Sequence, residues 1–316
     1  MRPSALPLCP DQPVTTPPAF DKDALPQPNR LESVSPLIRR LVAPNGGPFT
    51  ATGTCTYVIG QGKVSVVDPG PDDPAHLDRL IAALRHEEIA SIILTHTHRD
   101  HADGVARLKA LTGATIYGCG PHIAARALSE GECNPLDASA NRDYAPDHEL
   151  KDGDVFDGGD HHLKAIHTPG HTANHLTFVL EEENRLLSGD HVMAWSTSIV
   201  APPDGSMGDY MRSLEKLLHQ EVEDYWPGHG GPVREPQRFV RALIHHRRMR
   251  EASILHRIKE GDRTIADIVT AIYQNLNPRL IHAARLSVFA HLEDMVERDS
   301  IRCDGPLTLD GIFTAP

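Results

Sequence analysis

From residue 37 onward, short apolar runs alternate with amphipathic stretches. "LIRRLVAP", "TCTYVIG" and "KVSVVDPG" are β-rich and end at Gly or Pro, the signature of strands closed by turns. "PAHLDRLIAALRHEE" then places Leu77, Leu80, Ile81 and Leu84 at i, i+3, i+4 and i+7, the stripe of an amphipathic helix. "ASIILTH" predicts a buried strand, "HADGVARLKALTG" a helix stopped by Gly113, and "ATIYGCG" a further strand. Strand-like sequence resumes from "HLKAIHTPG" through "HLTFVLEEENRLLSGD", and the helical "GDYMRSLEKLLH" leads to the short "DYWPGHG". Strands and helices in this order predict sheets covered by helices, an α/β layered fold.

The two ends of the chain read differently. Residues 1–36 hold nine prolines and almost no periodic apolar pattern, so they are expected to form an arm extended over the surface. Residues 234–263 carry nine Arg or Lys against four acids and predict one long helix or two joined ones. In "TIADIVTAIYQNL", Thr264 is placed to cap a helix with Asp267 three residues on, above a stripe of Ile265, Ile268, Val269 and Ile272. "PRLIHAARLSVFAHLEDMVERDSI" follows, then strand-like pieces around Gly305 and Gly311. Three helices followed by a β-ribbon is the order of a winged helix. The expected division is an arm over 1–36, a layered α/β domain over 37–233, and a linker helix with a winged-helix-like domain over 234–316.

Composition narrows the function. The 316 residues are 40% hydrophobic and 23% charged, ordinary values for a globular protein. No apolar run reaches the length of a membrane span, and the proline-rich start lacks the apolar core of a signal peptide. Five scattered cysteines without a CxxC pair fit reduced thiols, so a cytoplasmic location is expected. A formal net charge of −12 repels nucleic-acid phosphate on average.

Candidate chemistry begins at "THTHRDH", residues 95–101, where His96, His98, Asp100 and His101 lie just past the apolar "IIL". Ligands of α/β sheets sit beyond strand carboxyl ends, so the position is as informative as the composition. Taken alone, the motif also fits a polar loop with Asp100 as a helix cap. Three later stretches weigh against that: "AIHTPGH" ends at His171, "RLLSGD" at Asp190 and "DYWPGH" at His229. Each places a metal-competent side chain after a short apolar run and directly after Gly170, Gly189 or Gly228, where glycine permits a sharp turn and close approach.

On these motifs the sequence resembles the metallo-β-lactamase superfamily over roughly residues 37–233. The resemblance implies an αββα sandwich with a two-metal site between its sheets. Carried onto these positions, His96, His98 and His171 would hold one ion; Asp100, His101 and His229 would hold the second; Asp190 would bridge. Asp68, in "VVDPG", matches the family's first motif and would orient the histidine loop. Imidazole and carboxylate without thiolate suit two Zn²⁺ per chain, with Mn²⁺ or Fe²⁺ as alternatives. Such a pair would hold a bridging hydroxide for attack on a carbonyl carbon or phosphorus, with Asp100 and Asp190 as the catalytic carboxylates.

The C-terminal third, with "TPGHT", "LSGDHV" and "YWPGHGGPV", resembles the branch of β-lactamase-like protein 2 and its bacterial relatives. One departure is Cys55, where relatives carry Asn beside the site. The animal members imply an endoribonuclease on single-stranded RNA, and the basic segment 234–263 offers a phosphate-binding face. Against RNA, residues 130–160 hold ten acids and two basic residues close to the expected site mouth. The preferred reading is therefore a dinuclear zinc hydrolase of a small acyl substrate (ester, lactone or thioester), with RNA cleavage second. A non-catalytic nucleic-acid binder with structural metals is the alternative of another class. Four further residues are candidates for supporting or lining the site. They are Asp68; His175, weighed towards a place behind the ligands; His191, with structural and substrate-contact roles both open; and Trp195, expected in the pocket wall through "MAWSTSIVAPPDG". A homodimer through the C-terminal helices is expected on base rates.

Overall fold

The protein is described from a computed structural model covering residues 18–129, 132–134, 136–274 and 276–316; the first 17 residues of the expected arm, Cys9 among them, and Glu130 lie outside the described residues. The first sheet runs β1 (Glu32–Ser33), β2 (Ile38–Val42), β3 (Cys55–Ile59), β4 (Lys63–Val67), β5 (Glu88–Leu94), β6 (Thr115–Gly118) and β7 (His148–Glu149), paired in that order. The first four strands pair antiparallel, whereas β4 to β7 are parallel, their crossovers carrying α1 (Pro74–Ala83), the short α2 (Arg99–Ala102) and α3 (Gly104–Thr112). β1 lies inside the segment read as an arm: its register with Arg39 and Arg40 gives the sheet an edge strand that two residues of sequence could not announce.

The second sheet has the order β12-β11-β10-β9-β8, built from β8 (Val155–Asp157), β9 (His162–His167), β10 (Leu176–Leu180), β11 (Arg185–Gly189) and β12 (Tyr225–Pro227), with α4 (Met207–Leu217) between the last two. Its strands β10, β11 and β12 are buried on both faces, and the two-residue period sorts the side chains between two cores. Leu163, Ala165, Phe178 and Leu187 face the first sheet and join Tyr57, Val67 and Ile93. Ile166, Val179 and Leu186 face outward onto Met207, Tyr210 and Leu214 of α4. The result is a helix–sheet–sheet–helix sandwich.

A single helix, α5 (Pro236–Lys259, 24 residues), follows rather than two joined ones. At 1.5 Å per residue it spans roughly 36 Å, enough to belong to two cores. Val240, Leu243 and Ile244 complete the outer core of the second sheet. Ile254 and Ile258 pack with α6 (Ile265–Ile272), α7 (Ile281–Glu297) and the hairpin β13–β14 (Arg302–Asp304, Ile312–Thr314), which form the winged helix. The Thr264 hydroxyl accepts the Asp267 N–H at 3.2 Å, the cap its sequence predicted. No described helix is long and apolar enough to cross a membrane.

Phe178 is fully buried between the sheets. Phe178→Ala is expected to cost about 3–5 kcal/mol, read as a lower urea midpoint.

Candidate metal centre and substrate pocket

β5 ends at Leu94 in a buried apolar run, and the chain leaves the sheet through Thr95 into the histidine loop. His98 takes the N-cap position of α2, and that single turn carries Asp100 and His101. From the second sheet, His171 lies in the loop after β9, Asp190 directly follows β11, and His229 follows β12. The last two loops are tied together by Gly228 N–H donating to Gly189 O at 2.8 Å, and Cys55 N–H of the first sheet donates to Gly228 O at 2.8 Å. A Cβ on Gly228 would lie 2.5 Å from Asp190 Oδ1 and 2.6 Å from His101 Cε1, so only glycine lets these loops close on each other.

Two groups of donors converge there. His96 Nε2 and His171 Nε2 lie 3.2 and 2.9 Å from His98 Nδ1. His101 Nε2 and His229 Nε2 are 3.3 Å apart, and Asp100 Oδ2 is 3.5 and 3.2 Å from them. Asp190 stands between the groups, its Oδ2 3.6 Å from His171 Nε2 and 3.3 Å from His229 Nε2, its Oδ1 3.5 Å from His101 Nε2. Apart from His98 and Asp100 these residues are buried.

The outer hydrogen bonds set the ring tautomers. His171 Nδ1–H donates to Ile199 O (2.6 Å), His229 Nδ1–H to Gly53 O (3.3 Å), and His101 Nδ1–H to Asp68 Oδ2 (2.9 Å). Asp68 also accepts from Thr95 N–H and Oγ1–H, at 2.9 and 2.7 Å, and Thr95 Oγ1 in turn accepts from His96 Nδ1–H at 3.0 Å. Four imidazoles thereby turn their other nitrogen inward, where a neutral ring presents the lone pair that a cation requires. The inner Asp190 Oδ1 is buried without a hydrogen-bond partner. Two three-residue groups, His96–His98–His171 and Asp100–His101–His229, each have donor atoms close enough to hold one ion, so the residues present fit a metal.

Electrostatics divides the groups. Burial, then the neighbouring imidazoles, pull His96 down and hold His98 at about 3. Burial would depress His229 as well, but the Asp190 and Asp100 carboxylates lift it to about 9, and they raise His101 in the same way. Against the cost of burial, those two imidazoles hold both carboxylates well below the usual range.

A pocket of ≈ 340 Å³ opens above the cluster, with His98, Asp100, His171, Asp190 and His229 on its floor. Trp195 lines it, as do Met193 and Ile199 of the same loop. His175 does not: it is fully buried behind the cluster, where Nε2 accepts the Asp190 N–H at 3.1 Å and Nδ1 meets Thr168 Oγ1 at 3.0 Å. His191 is also fully buried, its ring 4.7 Å from that of Tyr210 and away from the pocket. Cys55 points into the core, its Sγ 3.8 Å from Gly230 O. Of the acidic stretch 130–160, the described residues lining the pocket are Leu136 and Ser139. Glu132 and Asp147 turn instead to Arg126 and Lys109. Sequence reading missed Phe49, which comes from an irregular loop, and Arg279 and His282 of the winged helix, all of which line the pocket. "PRLIH" carries no motif, and only the docking of α7 brings it there.

Residues 50–229 match the model of the metallo-beta-lactamase superfamily. The chain belongs to that superfamily. Residues 264–305 match the beta-lactamase associated winged helix domain. Among curated relatives, the beta-lactamase-like protein 2 homolog of Caenorhabditis elegans is 30% identical, with 81% of this chain and 83% of that protein covered. An atrochrysone carboxyl ACP thioesterase of Aspergillus terreus is 28% identical, with 79% and 76% covered. Among solved structures, a metallo-beta-lactamase family protein from Thermus thermophilus has a TM-score of 0.73 at 22% identity, covering 90% of this chain and all of that one. A beta-lactamase domain protein from Burkholderia ambifaria reaches 0.76 at 18% identity, covering 93% and 96%. This member of the metallo-β-lactamase superfamily is thus a hydrolase of that fold.

Two outcomes test the geometry. Removing the carboxylate that orients His101, by Asp68→Ala, is expected to weaken zinc affinity about 10–100-fold, measured by competition with a chromogenic chelator. Because His229 is raised to about 9 in the metal-free protein, it carries a proton at pH 7 that a bound cation must displace. Calorimetry in buffers of different ionisation enthalpy should show proton release on zinc binding at pH 7, reduced by the His229 contribution as pH rises through about 9.

Proposed function

We propose that this chain is a hydrolase of small acyl substrates, thioesters first among them, working with two zinc ions per chain. Mn²⁺ or Fe²⁺ suit the same donors. His96, His98 and His171 would hold one ion, and Asp100, His101 and His229 the other, with Asp190 shared. The observation that carries the reading is the convergence of both donor groups, with Asp190 between them, on the floor of one pocket. When bound, the ions would supply Lewis-acid activation of water at neutral pH and offset charge developing on the acyl oxygen.

The chain's own residues would do the rest. Asp68, Thr95 and the Ile199 carbonyl keep the rings oriented. His175 fixes the Asp190 backbone from behind. Trp195, Met193 and Ile199 hold the acyl chain and exclude bulk water. In the reaction the water oxygen forms the new bond to the acyl carbon, the carbon–sulfur bond breaks, and the water's proton passes by way of the Asp100 carboxylate, at the pocket floor, to the leaving sulfur. The names of the fungal relatives, carrier-protein thioesterases, support this substrate class over phosphodiesters.

RNA cleavage draws less support. Three of the α5 arginines that sequence offered for phosphate are engaged elsewhere: Arg247 is buried with its guanidinium on Ser198 O, Arg248 pairs with Glu215 and Arg238 with Glu235.

Metal analysis is expected to return about two ions per chain. Chelation should abolish hydrolysis of the valeryl thioester of N-acetylcysteamine, and Asp190→Ala should lower kcat about 10²-fold or more. Full activity in chelator, or in Asp190→Ala, would refute the proposal.

A further inference from the structure

The pocket wall is more selective than its floor. Apart from the His/Asp cluster, the described ionisable residues lining it are Arg279 and His282, both basic and both from the winged helix. They stand in a chain whose formal net charge is −12. The rest of the lining is mostly apolar, through Phe49, Trp195, Met193 and Leu286 among others, with the neutral hydroxyls of Thr50, Ser139, Ser196 and Thr197.

Arg279 is also held in place. Pro278 opens a 3-10 turn (Pro278–Leu280), the Asn277 side chain accepts the Arg279 backbone N–H at 3.0 Å, and the turn runs directly into α7. Its guanidinium is exposed and makes no hydrogen bond or ion pair among the described residues. Most arginines nearby in sequence are paired: Arg257 with Asp262, Arg285 with Asp310 and Arg298 with Glu251.

Resting on the acyl-hydrolase reading above, we propose that Arg279 sets the substrate preference of this site. The preferred substrate is an acyl thioester that carries an anionic group beyond an apolar stretch, with Arg279 and His282 receiving the anion. A guanidinium presents paired donors that match the two oxygens of a carboxylate or phosphate, and Arg279 has no carboxylate partner among the described residues to compete for it. The volume, ≈ 340 Å³, is that of a small-molecule pocket. The anion has two sources, a carboxylate at the far end of the acyl chain or a phosphate on the thiol that leaves.

Two pairs of thioesters separate these sources: valeryl- against glutaryl-N-acetylcysteamine, and valeryl-pantetheine against valeryl-4′-phosphopantetheine. With the zinc-loaded full chain, the anionic member of one pair is expected to exceed its neutral partner in kcat/KM by about tenfold. Arg279→Ala should bring that ratio close to one through KM, Arg279→Lys should restore part of it, and Arg279→Glu should invert it. Arg302→Ala, an exposed arginine of β13 outside the pocket, is the control and should leave the ratio unchanged. Binding of the thioether analogue of the responding ester to chelated protein gives a readout independent of turnover, with Kd raised about tenfold by Arg279→Ala. Wild type that hydrolyses all four esters without preference, or a ratio that survives Arg279→Ala, overturns this inference and leaves the hydrolase reading intact. Wild type that hydrolyses none of the four overturns both.

Discussion

Seven side chains that would each rather be hydrated are held with their lone pairs and charges facing one another in a largely buried space. Bringing imidazoles within about 3 Å of each other forfeits water at every ring, and placing two carboxylates beside them would be repulsive without compensating protons or cations. What makes the arrangement tenable is the layer behind it. Asp68 serves His101 directly and His96 through Thr95, the Ile199 and Gly53 carbonyls serve His171 and His229, and His175 anchors the Asp190 backbone. Each outer contact removes one choice of tautomer, so the inner nitrogens are left as donors to a cation.

That layer depends on the sandwich. Donors come from strand ends of both sheets, and the sheets are registered by a shared core that holds Phe178 and Leu187 of one with Tyr57 and Ile93 of the other. A slip of one residue in β11 would turn Leu187 outward and carry Asp190 away from the cluster. Asp68 adopts a left-handed backbone at φ 50°, uncommon for a residue other than glycine, and the three hydrogen bonds its carboxylate accepts supply the compensation.

The winged helix enters through packing rather than through any surface of its own making. α5 is long enough to sit in two cores, and α7 contributes Ala290 to the outer core of the second sheet while presenting Ala283 and Leu286 to the pocket. The helices thereby close one side of a cleft that the sandwich would otherwise leave open, and the wall they add bears the basic groups.

Periodicity alone was enough to lay out most strands and helices, because the two-residue and 3.6-residue patterns report which face is buried whatever the burying partner is. Gly113 and Thr264 marked helix ends by local backbone chemistry. The histidines and aspartates after glycine were visible as candidates because they recur in the same local setting. Tertiary structure decided the rest. It set the distances among those side chains, moved His175 and His191 behind the cluster and away from the pocket, turned Glu132 and Asp147 to basic partners, and brought Phe49, Arg279 and His282 to the wall. The site itself depends on contacts between residues far apart in sequence, His98 with His171 and His101 with His229 among them, and a local pattern carries no information about which distant surface will be packed against it.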